Sequence, residues 1–256
     1  NFIYYYYMLD EYFTKKYFIC FGNKRFIKSR KRIIEEAKQI DVFDDYFLET
    51  ENVCKEEPYK NIIKKMKPGR GFYWYTWKPY IIYKSLSKLN DGDILFYCDS
   101  GMKIFNNGIV KKKFKKLFNL VSNKEKCPTG IVTFITTGPK EKRIEFQYNL
   151  VQVFEHFNVL NNKDITHTQQ IQAGVSMFLK CDKSMQIVKT WFDTCVTNPE
   201  FFIGDYRFCN LKRKSQISGY KDHRHDQSIW SILCKIHRVN VLQHNSNPIH
   251  QTHYRE

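Results

Sequence analysis

One run of five apolar residues, Ile94-Leu95-Phe96-Tyr97-Cys98, constrains this chain more than any other stretch. The tight turn Asn90-Asp91-Gly92 leads towards it, and Asp99-Ser100-Gly101 follows it. A strand that is apolar at every position, rather than at alternate ones, must be covered on both faces. That is the pattern of an interior strand in a sheet flanked by helices. In open α/β sheets the ends of such strands, with the loops leaving them, form the crevice where ligands bind. Asp99, a carboxylate at such an end, is therefore the first candidate for a site.

The rest of the chain repeats the alternation. Tyr17-Phe18-Ile19-Cys20-Phe21 is a second buried run, ending in Gly22-Asn23. Ser29 precedes Ile33, Ile34, Ala37 and Ile40 at helical spacing, and Tyr46-Phe47-Leu48 reads as a strand. Strand, helix, strand is a βαβ unit and argues for a mostly parallel sheet. Residues 58–66 read as a short basic helix, Pro68-Gly69-Arg70-Gly71 as a break, and Pro79 as the first turn of a helix carrying Ile81, Ile82, Leu86 and Leu89. Beyond Gly101 the pattern loosens through Asn106-Asn107-Gly108 and the lysines at 111–113, 115 and 116, a cluster that suits a solvated helix face. Strands are expected at 131–135 and 175–179, and helices at 143–157, 185–195 and 225–236. The polar stretch 198–221 has little periodicity and is expected to cover the site as a loop.

No repeat or linker divides the chain, so one domain is expected over 17–242, with an N-terminal extension at 1–16 packed on it and a C-terminal tail at 243–256. The apolar opening of the extension is far shorter than the roughly 20 residues a membrane span needs, so no transmembrane segment is expected. Eight cysteines without close pairing suit reduced thiols in a cytoplasmic setting. The chain carries 42 Lys and Arg against 26 Asp and Glu, a net charge of +16, which suits nucleic acid, an anionic membrane or a phosphate-bearing substrate. A compact recognition motif is missing and the basic residues are spread throughout, which argues against nucleic acid.

Several residues can carry chemistry. Asp99 can hold a divalent cation that neutralises a departing diphosphate, or can be a plain cap or turn residue. Asp91 and Asp93 suit the turn itself. In His223-Arg224-His225-Asp226-Gln227-Ser228, Asp226 falls at a helix N-terminus, as a cap or as an acid that orients or deprotonates a sugar hydroxyl. Gln170-Ile171-Gln172-Ala173-Gly174 reads as a loop entering a strand, its amides and glycine lining the crevice. Arg70 can meet a phosphate. Trp74, Trp77 and Trp191 are core residues or sugar platforms. His223 and His225, like His244, His250 and His253 of the tail, are surface residues unless further ligands join them.

Taken in order, Phe18-Ile19-Cys20-Phe21-Gly22-Asn23, Gly71-Phe72-Tyr73-Trp74-Tyr75-Thr76-Trp77-Lys78-Pro79, Asp91 to Gly101, Gln172-Ala173-Gly174 and Arg224-His225-Asp226-Gln227-Ser228 resemble GT-A-type glycosyltransferases of bacterial polysaccharide clusters and of large DNA viruses of algae and amoebae. The resemblance implies a single Rossmann-like α/β domain. It also implies a nucleotide-sugar donor, UDP-linked in the wider class, a glycan or glycoprotein acceptor, and Mn²⁺ or Mg²⁺, in the cytoplasm, that of the host if the source is viral. Phe21, Gly22, Asn23, Arg70, Trp77, Lys78, Asp99, Ser100 and Gly101 would then serve the donor. Gln172, Ala173, Gly174, His225 and Gln227 would serve the sugar or acceptor, and Asp226 the catalysis, as base or as sugar-orienting carboxylate. Asp99 would be the metal ligand, falling where such enzymes carry an Asp-x-Asp motif. Tyr97 stands in place of its first acid, so Asp99 must find partners elsewhere, as in the histidine-bearing tail, or work without a metal. Two rivals remain open: a basic nucleic-acid-binding protein, and a non-catalytic sugar-binding protein on the same fold.

Overall fold

The computed structural model describes residues 14–136 and 143–251. Its centre is a six-stranded sheet in the order β2-β1-β3-β6-β5-β7, made of β1 (Lys16–Phe21), β2 (Asp45–Glu49), β3 (Ile94–Cys98), β5 (Ile131–Ile135), β6 (Ile171–Leu179) and β7 (Asn240–Leu242). A separate ribbon joins β4 (Met102–Ile104) to β8 (Ile249–Gln251), which places part of the C-terminal stretch against the loop after β3. Five of the six main strands run one way. β6 alone is antiparallel to its neighbours β3 and β5, so its beginning lies at the edge where those strands end.

The unbroken apolar runs are explained by two separate cores, one on each face of the sheet. Phe18, Cys20, Ile94, Phe96 and Cys98 point to the core covered by α1 (Ile27–Gln39) and by α3 (Gly108–Ser122). Ile19, Phe21, Leu95 and Tyr97 point the other way, to the core built by α2 (Trp77–Ser87), α4 (Asp182–Thr197) and α5 (Asp226–Ile236). Side chains two apart on a strand share a face, so Tyr97 and Asp99 both lie on the side of α2 and α5. Trp74, Trp77 and Trp191 are buried in that same core, as the packing reading expects. Asp93 shapes the turn before β3, accepting from the Lys15 and Asn90 N–H groups.

The lysine cluster is a solvated helix face, as expected: it lies on the outer side of α3, a 15-residue helix whose Val110, Phe114, Leu117, Phe118 and Val121 are buried. Three other expectations need correction. The helix expected over 143–157 breaks into Glu145–Tyr148 and Val151–His156, because Asn149 adopts extended backbone and donates its amide to the Ser228 carbonyl, 2.9 Å away. Gln172 to Gly174 are not loop but the start of β6. The basic helix expected over 58–66 shrinks to Tyr59–Ile63. All eight cysteines are free. Among the described residues no helix is long and apolar enough to cross a membrane.

Candidate active site

Strand β3 delivers Asp99 to the edge, and the reversed β6 holds it there. The Asp99 N–H donates to the Gly174 carbonyl at 2.8 Å. A Cβ on Gly174 would come within 2.9 Å of Asp99 Oδ2 and of Met102 Cε, so only glycine lets the strand pass this close to the carboxylate. The Tyr97 hydroxyl donates to Asp99 Oδ1. Burial, and then the Asp99 charge, push the Tyr97 phenol well above its ordinary pKa, so it stays a proton donor.

Lys78 sits in the first turn of α2, only 2% exposed, with its ammonium 2.6 Å from Asp226 Oδ2 and 3.3 Å from Asp99 Oδ1. The rings of Tyr75, Trp77 and Tyr97 surround it at 5.4–5.7 Å. Burial alone presses a lysine towards its neutral form, but here two carboxylates outweigh it and the pKa rises. Asp226 begins α5. Burial raises its carboxyl to about 6, the Lys78 charge opposes that rise, and the Asp99 charge adds to it.

The backbone on both sides of this cluster is forced. Gly71, Phe72, Tyr73, Trp74 and Tyr75 all have φ between +56° and +64°, a left-handed turn in which each non-glycine residue costs roughly 1–3 kcal/mol. Indole N–H bonds hold it: Trp77 Nε1 donates to Gly71 O at 2.9 Å and Trp74 Nε1 to Lys67 O at 3.2 Å. His225 has φ 54° and ψ −125°, a combination that turns reserve for glycine. Its Nδ1 lies 2.8 Å from the Phe202 carbonyl, and its ring stacks on Tyr75 at 5.9 Å. Burial lowers the pKa of both His223, to about 3, and His225, so both rings are neutral donors to backbone carbonyls.

These elements enclose a cavity of about 150 Å³ lined by Arg70, Tyr75, Lys78, Asp99, Arg143, Ala173, Gly174, Arg224, His225, Asp226 and Gln227. Eight of the residues singled out from the sequence meet there. The others do not. Phe21 is stacked on Trp77 at 3.8 Å, and Trp77 is spent on that contact and on Gly71. The Gly22 carbonyl is taken by Arg30, Asn23 caps a short helical turn, and the Ser100 carbonyl is taken by Arg32. Gly101 and Gln172 lie beside the cavity rather than on its wall. No residue of 198–221 lines it. That stretch packs alongside, where Phe208 meets Trp74 and Gln216 bonds Gln152.

Tyr75, Arg143 and Arg224 are the lining residues that sequence reasoning left out. Arg224 stands in a quoted motif, so its charge beside Asp226 was an available signal; Arg143 had none.

A divalent cation needs several oxygen or nitrogen donors around it. Asp99 Oδ1 is already shared by Tyr97 and Lys78, and an ammonium lying between both carboxylates repels a second cation from that position. Among the described residues no three His, Cys, Asp or Glu side chains gather as a ligand set. His250 belongs to β8 and packs on Phe105, and His253 lies outside the described residues. The groups present therefore do not fit the Mn²⁺ or Mg²⁺ that the resemblance implies.

No family model matches this sequence, and no curated protein matches it. Among solved structures it is similar to the glycosyltransferase GlyE of Streptococcus pneumoniae TIGR4, at 12% identity and TM-score 0.45, with 90% of this chain and 45% of that one covered. The chain thus spans about half the length of that protein. It is also similar to a glycosyltransferase involved in glycosylation of the major capsid of PBCV-1 (15% identity, TM-score 0.42, 82% and 81% covered). A third similar structure is mouse xyloside xylosyltransferase 1 (11% identity, TM-score 0.44, 89% and 84% covered).

Proposed function

We propose that this protein is a glycosyltransferase that moves a sugar from a nucleotide-diphosphate donor, UDP-linked by the resemblance, to a hydroxyl of a glycan acceptor. One observation carries the reading: two carboxylates bridged by a buried lysine at the strand ends, opening into a cavity walled by Arg70, Arg143 and Arg224. The guanidiniums suit a diphosphate, which they can bind through paired hydrogen bonds. Asp226, with a pKa near 6, is ionised at neutral pH yet basic enough to accept a proton from an attacking hydroxyl. In the reaction the acceptor oxygen bonds the anomeric carbon, the carbon–phosphate oxygen bond breaks, the diphosphate keeps the electron pair, and Asp226 takes the proton. The Lys78 ammonium keeps its own proton throughout.

A thermal-shift screen over nucleotide sugars, with Mn²⁺ and with EDTA, tests the reading. At least one donor is expected to raise the melting temperature and to be hydrolysed or transferred. A flat response to every donor in both conditions would overturn it.

A further inference from the structure

Resting on the glycosyltransferase reading, we infer that the departing diphosphate is neutralised by guanidiniums of the cavity wall, Arg143 and Arg224, in place of a divalent metal. Arg143 and Arg224 are thereby given a direct role on the leaving group.

The cavity wall carries four cations, Arg70, Lys78, Arg143 and Arg224, against two carboxylates, Asp99 and Asp226. Lys78 lies within 3.3 Å of both of these. Its one positive charge leaves that cluster with one net negative charge, so the three guanidiniums give the wall a surplus of two positive charges. Two of them, Arg143 and Arg224, line the cavity together, and among the described residues no carboxylate bridges the pair. Burial, and then the Arg224 charge, lower the Arg143 pKa. Arg224 lies over the Tyr148 ring at 5.1 Å, and its nearest described carboxylate, that of Asp222, stands 3.9 Å off. Like charges packed this way are unfavourable until an anion comes between them. The surplus matches the two negative charges of the bound diphosphate, to which departure with the electron pair adds a third. The position a metal would take on Asp99 is occupied by the Lys78 ammonium, which also touches the candidate base and so holds Asp99 and Asp226 at fixed separation.

The chemistry then balances without a further co-reactant. As the anomeric bond breaks, both electrons leave with the diphosphate oxygen, and the charge that develops there faces Arg143 and Arg224. The acceptor proton passes to Asp226.

Inorganic pyrophosphate tests this without knowledge of the base or the sugar. Calorimetric titration in EDTA is expected to show binding whose affinity does not change when Mn²⁺ replaces EDTA. Arg143→Ala and Arg224→Ala should each weaken it about tenfold or more, the loss of one charged hydrogen-bonded contact. Lys111→Ala, on the outer side of α3, should leave it unchanged, which separates the cavity from the general positive charge of the surface. Manganese electron paramagnetic resonance gives a second readout: wild-type protein should leave the ion free, whereas Lys78→Ala, with two carboxylates released, should bind it. Pyrophosphate binding that requires Mn²⁺ would overturn the inference and leave the glycosyltransferase reading standing. Affinity unaffected by both arginine substitutions would overturn it as well. If neither pyrophosphate nor any nucleoside diphosphate bound in either condition, both would fall.

Discussion

Two buried lysine–carboxylate clusters lie at opposite ends of α5, and they differ in how completely they are closed. At the helix start Lys78 serves two acids, and the cluster opens into the arginine-walled cavity. Further along, Lys235 pairs one acid, the fully buried Glu145, at 2.8 Å. There every oxygen is spoken for. Ser231 and Lys235 donate to Oε1, Gln170 donates to Oε2 at 3.1 Å, and Lys235 also reaches the carbonyls of Ile165 and Thr168. Burial lowers the Lys235 pKa against the pull of Glu145, while the second acid at the other cluster turns the balance and raises that of Lys78. The difference teaches how to tell a fastener from a working site: matched charges with filled hydrogen bonds hold the fold, and unmatched charges beside a cavity wait for a ligand.

The comparison breaks first under Asp226→Asn. Transfer or donor hydrolysis is expected to fall by about 10²–10⁴-fold, as when a positioned acid or base is removed, with the melting temperature nearly unchanged. A large loss of stability with retained turnover would make Asp226 the fastener instead.

Glu145→Gln should do the reverse. It leaves Lys235 charged and buried, which costs about 3–5 kcal/mol of unfolding free energy, while turnover per folded molecule stays near that of wild type. Denaturant unfolding followed by assay of the native fraction measures both.

The smallest effect is that of pH. If Asp226 accepts the proton, the rate falls on the acid side through a pKa near 6 and levels off above it. Stability moves the other way. A carboxyl whose folded pKa is raised above its unfolded value is favoured by protonation, so its contribution is present at low pH and is lost as pH rises from about 4 through about 6. The unfolding free energy of wild type relative to Asp226→Asn should therefore decline across that window. A flat difference, with an acid limb well below 5, would show that Asp226 does not titrate as a buried base.

The sequence made the strands legible because burial on both faces leaves no polar position within them, as Ile94 to Cys98 demonstrates. It marked Asp99 because it follows such a strand and Asp226 because it begins a helix, whereas Lys78 was marked only by the resemblance. It did not reveal the direction of β6, since a fully buried run reads alike in either sense, and that direction is what sets Gly174 against Asp99. The lysines of α3 read as a solvated helix face, but the bounds of the helix did not follow from them; those come from Val110, Phe114, Leu117 and Val121, which keep helical spacing on the buried side. The left-handed turn at 71–75 offers four aromatic residues where φ favours glycine, and only the packing of Trp74 and Trp77 makes it possible. Arg143 was illegible for a different reason: its place depends on the path of a long connection, not on any local pattern.

That connection has a consequence for how such a chain can diversify. Because β6 runs backwards, the segment between β5 and β6 leaves and re-enters the sheet at one rim. Thr136 and Gln170 close its neck, with the Thr136 N–H and hydroxyl donating to the Gln170 carbonyl at 3.0 and 2.9 Å and Gln169 donating to the Thr136 carbonyl. The clasped stretch is more than a loop: Leu150, Val153 and Phe154 are buried in the core, and Glu145 pairs Lys235 of α5. It carries Arg143 into the cavity as well, so a change in this one connection bears both on the arginine-bearing wall and on the seating of the helix that presents Asp226.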